Sequence, residues 1–180
     1  MKYFQTPVQI TLPASAFAKA AEFADAVVKT VNYRDSLQFN ATKIRDDHFV
    51  SKLGEEAVKQ AFESFTNSIQ GPDYNIYQSR QKSWESDLYV NEIPLAVKTQ
   101  RRSAAERYGL SWTFQKSSFR ADPILQKPEA WVCFAVFNDL AEKPDFTVFP
   151  PFQIKELPFK SPRLAHLADK KIAVYAADFL

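Results

Sequence analysis

Residues 86–100 read as two alternating runs joined by two residues, and this stretch constrains the fold more than any other. Residues 86–90 and 93–100 carry apolar side chains at every second position, with Asn91 and Glu92 between them, which is the pattern of a β-hairpin with a two-residue tip. Setting Val90 opposite Ile93 places Tyr89 opposite Pro94, Leu88 opposite Leu95 and Asp87 opposite Ala96. The period of two then sends Leu88, Val90, Leu95 and Val97 to a core-facing side. Asp87, Tyr89, Ala96, Lys98 and Gln100 go to the other side. Asp87 and Lys98 become a diagonal cross-strand pair with backbones about 7–8 Å apart, both able to reach one shared point. A divalent ion held by the carboxylate and a phosphate touched by the ammonium fit that point. The plain alternative is an ordinary cross-strand ion pair, although an exposed pair contributes only about 0–1 kcal/mol.

Helices precede the hairpin. Over residues 14–31, Phe17, Ala20, Ala21, Ala24, Val27, Val28 and Val31 recur at three- and four-residue steps and predict an amphipathic helix. A second helix is expected over residues 46–69, with Val58, Ala61, Phe62, Phe65 and Ile69 as its buried stripe and Gly54 as an awkward point inside it. Glu55 falls on that same inward face, where a carboxylate needs a partner, an ion or water. A helix-start carboxylate interacting with the helix dipole is an equally good account of Glu55.

After the turn at Gly71-Pro72-Asp73 the period changes to strands. A short one is expected over 74–77, a further strand over 111–115 after a helical piece at 102–108, and a buried central strand over the apolar run 131–137. Residues 146–149, a helix near 162–168 and a closing strand over 171–176 complete the chain. Such an order predicts an α/β domain, a mixed central sheet flanked by helices, over residues 1–180.

Composition excludes several chemistries. The 180 residues hold only three glycines, Gly54, Gly71 and Gly109, too widely spaced to build a phosphate-cradling loop. One cysteine, Cys133, and two histidines exclude a disulfide framework and zinc-finger spacings. Cys133 lies in an apolar run and reads as core. His48 beside Asp46 and Asp47 reads as an ordinary half-buried histidine, and Asp73 as a turn aspartate rather than a rival anchor. No apolar stretch reaches the ~18 residues of a membrane span, and the first seven residues lack a secretory pattern, so an intracellular, reducing setting is expected. The net charge is only +2, but residues 78–120 carry eight Lys or Arg against four Asp or Glu. A locally basic middle suits a polyanion partner, and equally a solvated charged surface.

Taken together, Asp87, the pair Val97-Lys98 on the partner strand, and Gly54-Glu55 on the preceding helix resemble the motif of the PD-(D/E)xK nuclease superfamily. There an aspartate begins one strand of a hairpin, and an acidic residue, any residue and a lysine end the other. The resemblance covers about residues 46–137, with the first helix and the C-terminal part packed on that core. It implies a restriction-endonuclease-like core and a Mg²⁺-dependent DNA endonuclease of restriction, phage, homing or junction-resolving type, with Mn²⁺ as a substitute ion. Asp87, the Val97 backbone carbonyl and Glu55 are implied as metal ligands, Lys98 and Gln100 as catalytic groups, and Arg101 and Arg102 as DNA phosphate contacts. The expected products are a 5′-phosphate and a 3′-hydroxyl. A homodimer or higher homo-oligomer in the cytoplasm of a prokaryotic or phage-infected cell is implied as well. One departure stands out: the usual acidic position before the variable residue is Ala96 here. Gln100, two residues beyond Lys98, is a candidate replacement. A non-catalytic nucleic-acid-binding protein on the same scaffold is the alternative, and a protein-binding domain with a purely structural hairpin is a third.

Overall fold

A computed structural model describes residues 1–30, 40–77, 86–117 and 121–180. The first element is a short strand, β1 (Val8–Ile10), and the chain then enters α1 (Ala14–Val27) directly after Pro13. Residue 31, the expected end of this helix, lies outside the described residues. The second helix, α2 (Ala41–Glu63), begins five residues before its apolar stripe suggests. Asn40 explains the early start, since its side-chain oxygen accepts the Lys43 backbone N–H at 3.0 Å and satisfies a donor the helix itself cannot. The far end corrects the expectation of residue 69. The helix stops at Glu63, Phe65 is 47% exposed against Phe4, and Ile69 belongs to a strand.

Six strands run in the order β1-β7-β6-β4-β3-β2, with β8 (Phe152–Gln153) alongside β6. They are β2 (Ile69–Gln70), β3 (Leu88–Val90), β4 (Ile93–Arg101), β6 (Trp131–Asn138) and β7 (Asp145–Val148) in addition to β1. The chain leaves β4 through α3 (Arg102–Tyr108) and returns to lay β6 parallel to it, while every other pairing in this sheet is antiparallel. The sheet is therefore mixed and the fold α/β, as expected. The hairpin has the expected register, Val90 with Ile93, Tyr89 with Pro94 and Leu88 with Leu95.

Two cores form on opposite faces of this sheet. On one, Leu53, Val58 and Phe62 of α2 pack on Leu88, Val90, Leu95, Val97, Cys133, Ala135 and Phe137. On the other, Val132, Phe134 and Val136 pack on Trp112, Phe114 and Val174. β6 feeds odd residues to one core and even residues to the other, which is why its sequence is an unbroken apolar run. The second layer corrects another expectation. Strand β5 (Ser111–Gln115) does not join the main sheet but pairs antiparallel with β9 (Lys171–Tyr175) as a separate two-stranded ribbon. Trp112 fixes that ribbon to the sheet by donating its indole N–H to the Ala135 carbonyl at 3.0 Å and stacking on Phe134.

Two further expectations fail. Residues 74–77 form no strand: the Asp73 carboxylate accepts the Asn75 N–H at 2.9 Å and the Tyr77 hydroxyl at 2.6 Å, which folds the segment into a turn. The helix near 162–168 shrinks to one 3₁₀ turn at Ala165–Leu167, where Arg163, His166 and Lys170 are all exposed. Among the described residues no helix is long and apolar enough to cross a membrane.

Candidate active site

Strand β3 covers β4 only as far as Leu95, because Leu88 is its first paired residue. Beyond that point the Val97 N–H has no partner from β3, and the Asp87 carboxylate supplies one, accepting it at 2.7 Å. In an extended strand a residue's N–H and C=O project to the same side, so the Val97 carbonyl faces the edge that Asp87 occupies. Asp87 is half-buried with its carboxyl turned inward. Burial pushes that carboxyl above the usual carboxylate range, although the Val97 N–H and the charges of Lys98 and Lys52 pull the other way.

Glu55 approaches from α2 and is only 3% exposed. Its oxygens meet Ser51 Oγ at 3.2 Å and Lys52 Nζ at 2.5 Å. Burial, followed by the negative charge of Asp87, pushes the Glu55 carboxyl up to about 8 in spite of Lys52 and Ser51. Gly54 makes this approach possible. A Cβ at position 54 would stand 1.7 Å from the Thr99 hydroxyl of β4, so only glycine lets α2 lie this close to the strand. Thr99 Oγ1 is itself a buried polar atom without a hydrogen-bond partner among the described residues. Lys52 also lies 5.0 Å from the Phe23 ring centre, on the apolar side of the same pair.

Lys98 projects from the opposite face of β4 and makes its ion pair with Asp122 at 2.8 Å, not with Asp87. The same Asp122 oxygen accepts the Gln115 N–H at 3.2 Å, and the Lys98 ammonium sits 4.9 Å from the Phe114 ring centre. Asp87 thus stands between two lysines, Lys52 on the α2 side and Lys98 on the β5 side, and feels both electrostatically. The shared point expected for Asp87 and Lys98 is not formed by a direct pair: Glu55 and Lys98 lie on opposite faces of β4, Asp87 at its edge interacts with both only through their charges, and Lys98 is held by Asp122.

The other expected residues are placed differently. Gln100 bridges β4 to β5, donating to the Gly109 carbonyl at 3.2 Å and accepting the Ser111 N–H at 2.9 Å, so it is tied into the fold and does not stand in for a ligand at Ala96. Ala96 packs against the second core. Arg101 is bound to Asp46 and to Asp139 and lies over the Phe137 ring, a structural network rather than an open phosphate contact. Arg102 is exposed, with Glu106 at 4.0 Å. His48 packs edge-on to Phe23, and Cys133 donates to the Phe149 carbonyl inside the core. The sequence reading missed Lys52 and Asp122. Lys52 was legible as a neighbour of Glu55 at a three-residue helical step. Asp122 was not, because its approach to Lys98 depends on the tertiary position of the loop after β5.

Among the described residues no group of three or more His, Cys, Asp or Glu side chains is placed to hold a metal. Mg²⁺ does not need one, because it keeps several waters and takes one or two carboxylates together with substrate phosphates. Two inward-turned carboxyls that repel one another, with a strand carbonyl beside them, are a donor set a hard cation would relieve. Surface clefts of about 340 Å³ between α1 and α2, and about 480 Å³ by Pro150 and Pro151, include none of Glu55, Asp87 or Lys98. Compared with protein-family models, with curated proteins and with solved structures, the chain matches none.

Proposed function

We propose that this protein is a Mg²⁺-dependent DNA endonuclease on a restriction-endonuclease-like core. The observation that carries the reading is the inward-turned Asp87 carboxyl just before β3, bonded to the Val97 N–H, with the charges of Glu55 and Lys98 acting on it from the two faces of β4. In the order α2, β2, β3, β4, α3, β5, β6, the helix, the hairpin and the parallel β4–β6 pair reached through α3 support it as well, being similar to the core of that superfamily, while β5 lies outside the main sheet.

Asp87, the Val97 carbonyl and Glu55 would hold the ion, which when bound supplies Lewis acidity and positive charge against the charge developing on phosphate. Asp87 is held in place by the Val97 N–H, so its carboxylate needs no reorganisation. Lys52 balances the charge of Glu55 once that carboxyl ionises. Lys98, turned from Asp122 toward a scissile phosphate, would orient the attacking water or stabilise negative charge on the phosphate oxygens. The Phe114 ring beneath it keeps one side of the ammonium dry, which strengthens that interaction. Arg102, exposed one residue after β4, remains the better of the two candidate contacts to a flanking phosphate.

The engagement of Glu55 with Ser51 and Lys52, together with Ala96 at the usual acidic position, favours a second reading: a nucleic-acid-binding protein that no longer cuts. Incubating supercoiled plasmid and branched DNA with Mg²⁺ or Mn²⁺ separates the two. Cleavage that drops about 10²-fold or more in Asp87→Ala and Lys98→Ala supports the endonuclease. Cleavage indifferent to both substitutions, or none by the unaltered protein with either ion, overturns it. Binding without cleavage, falling steeply with salt, favours the second reading.

A further inference from the structure

Lys98 presents an ammonium that is already committed. Asp122 binds it at 2.8 Å, and the two side chains are 27% and 21% exposed, so the pair is neither sealed nor fully solvated. Among the described residues Asp122 is the only carboxylate that pairs with Lys98. Asp122 is the fixed member. Its backbone N–H donates to the Gln115 carbonyl at 2.9 Å, while its carboxylate accepts the Gln115 N–H at 3.2 Å. Just before it Ala121 bridges to Lys116, and just after it a 3₁₀ turn opens at Pro123, whose Leu125 N–H donates to the Asp122 carbonyl at 3.0 Å. A residue tied down on both sides, with its carboxylate bonded to the backbone of β5, keeps its place. Lys98 is the movable member, a charge on a flexible four-carbon stem.

An anion arriving at Lys98 meets Asp122 twice. It must first take the ammonium from a carboxylate already in contact with it. It then lies near the negative charge of that carboxylate, which the Gln115 N–H still holds in place. Like charges brought together in this way oppose binding. An ion pair partly open to solvent is weak enough to exchange, so Asp122 lowers the affinity of Lys98 for an anion without forbidding the contact.

We propose that Asp122 is a built-in competitor for Lys98, holding the lysine until a backbone phosphate of nucleic acid displaces it. The proposal rests on the reading of Lys98 as a phosphate contact, and adds the regulation of that contact by a residue outside the motif. Neighbouring phosphates of the same strand, gripped elsewhere on the protein, raise the effective concentration of the one that reaches Lys98 and let it win the exchange.

Anisotropy of a fluorescent DNA duplex in EDTA, where no metal-dependent cleavage can occur, tests it through a double-mutant cycle. Asp122→Asn keeps the shape and an acceptor for the Gln115 N–H, and is expected to tighten binding about fivefold. Asp122→Ser, which removes the charge and shortens the side chain, should tighten it to a similar degree. Lys98→Gln should weaken binding, and in the Lys98→Gln background Asp122→Asn should change the affinity by less than about twofold. Glu129→Gln frees Lys155 from an exposed pair of 2.7 Å, and should also leave the affinity within about twofold. Unchanged or weaker binding by both Asp122 variants, equal tightening in the Lys98→Gln background, equal tightening by Glu129→Gln, or no binding by parent and variants alike overturns the proposal. Magnesium-dependent cutting that requires Asp87, with Asp122→Asn binding like the parent, would remove the competitor and leave the endonuclease standing. Tightening that depends on Lys98, without cutting by any of these proteins, would do the reverse.

Discussion

Strand β4 has acidic groups beside its middle and beside its C-terminal end, and the two places are built on opposite terms. At the C-terminal end the Asp139 carboxylate accepts the Ser103 N–H at 2.9 Å and the Ser103 hydroxyl at 2.6 Å, with Arg101 at 3.4 Å. Burial alone would raise the Asp139 carboxyl, but these bonds and the Arg101 charge outweigh it and hold the group below the usual range. Near Val97 the balance reverses: burial and then the charge of Asp87 hold Glu55 above the usual range, and burial, with a smaller push from Asp122, holds Asp87 above it. A carboxylate that serves the fold looks like Asp139. Glu55 and Asp87 are the kind of group a fold keeps for another reason, and perturbed acids of this kind cluster at functional sites.

The largest expected effect follows from Glu55 and tests that contrast directly. Its folded pKa of about 8 lies above the reference value of 4.5, so the folded state binds a proton that the unfolded chain has already lost. The stabilising contribution is full below about pH 4.5 and is lost as pH rises through about 8, a change of several kcal/mol for a group so deeply buried. Asp139 works in the other direction: its contribution is present at neutral pH and is lost in acid, as pH falls through its lowered folded pKa. Urea melts between pH 5 and 9 should show the protein losing stability and Glu55→Gln staying nearly flat. If both lose stability equally over that window, the account of Glu55 is wrong.

Substituting the acids at neutral pH sharpens the same comparison. Asp139→Ala leaves Arg101 short of a partner and two Ser103 donors unpaired, and should cost about 2–3 kcal/mol. Asp87→Asn keeps the shape and the acceptor for the Val97 N–H, and should change stability by less than about 1 kcal/mol. Denaturant midpoints at pH 7 check both, and a greater loss in Asp87→Asn than in Asp139→Ala would invert the contrast. Gly54→Ala comes next. The added methyl would meet Thr99, and displacing α2 from β4 should cost about 1–3 kcal/mol and carry Glu55 away from Asp87. The same substitution placed on an exposed face of α2 would be near neutral or stabilising, so a stable Gly54→Ala variant would show that the close approach is unimportant.

How far the sequence reveals this arrangement depends on the range of the forces involved. The hairpin register, α3 at residues 102–108 and β5 at 111–115 are all legible, because a period of two and a short loop are local facts. The inward face of Glu55 is legible too, from helical spacing alone. What periodicity does not contain is the partner of each side chain. Lys98 bonds Asp122 and not Asp87, Gln100 bridges to β5, and Arg101 reaches Asp46, each across a long stretch of chain. The end of α2 is misread for a related reason. Phe65 keeps the helical spacing but packs on Phe4 from the N-terminal segment, a contact no local pattern records. β5 has the alternation of any strand, and nothing in five residues tells it to leave the main sheet for β9.

The smallest expected effect concerns the tip that sets Asp87 opposite its place on β4. Asn91 and Glu92 have φ of 48° and 66°, the left-handed conformation that a two-residue hairpin turn demands. Asn91 suits that conformation, and its side chain is held by the Thr66 hydroxyl and the Tyr3 hydroxyl, so the first tip position is well made. Glu92 is exposed and gains nothing comparable for a left-handed backbone that costs about 1–2 kcal/mol in an L residue. Glycine removes that cost and adds about 0.5–1 kcal/mol of unfolded-chain entropy to be overcome. Glu92→Gly should therefore stabilise the protein by about 0.5–1 kcal/mol, visible as a higher denaturant midpoint at unchanged slope. The acids beside the middle and the C-terminal end of β4 should be untouched by it, so the pH dependence assigned to Glu55 must survive in the more stable variant. A midpoint that falls instead would mean that Glu92 is held by contacts the turn geometry does not explain, and a pH dependence that vanishes would mean that the tip, and not the buried acids, governs it.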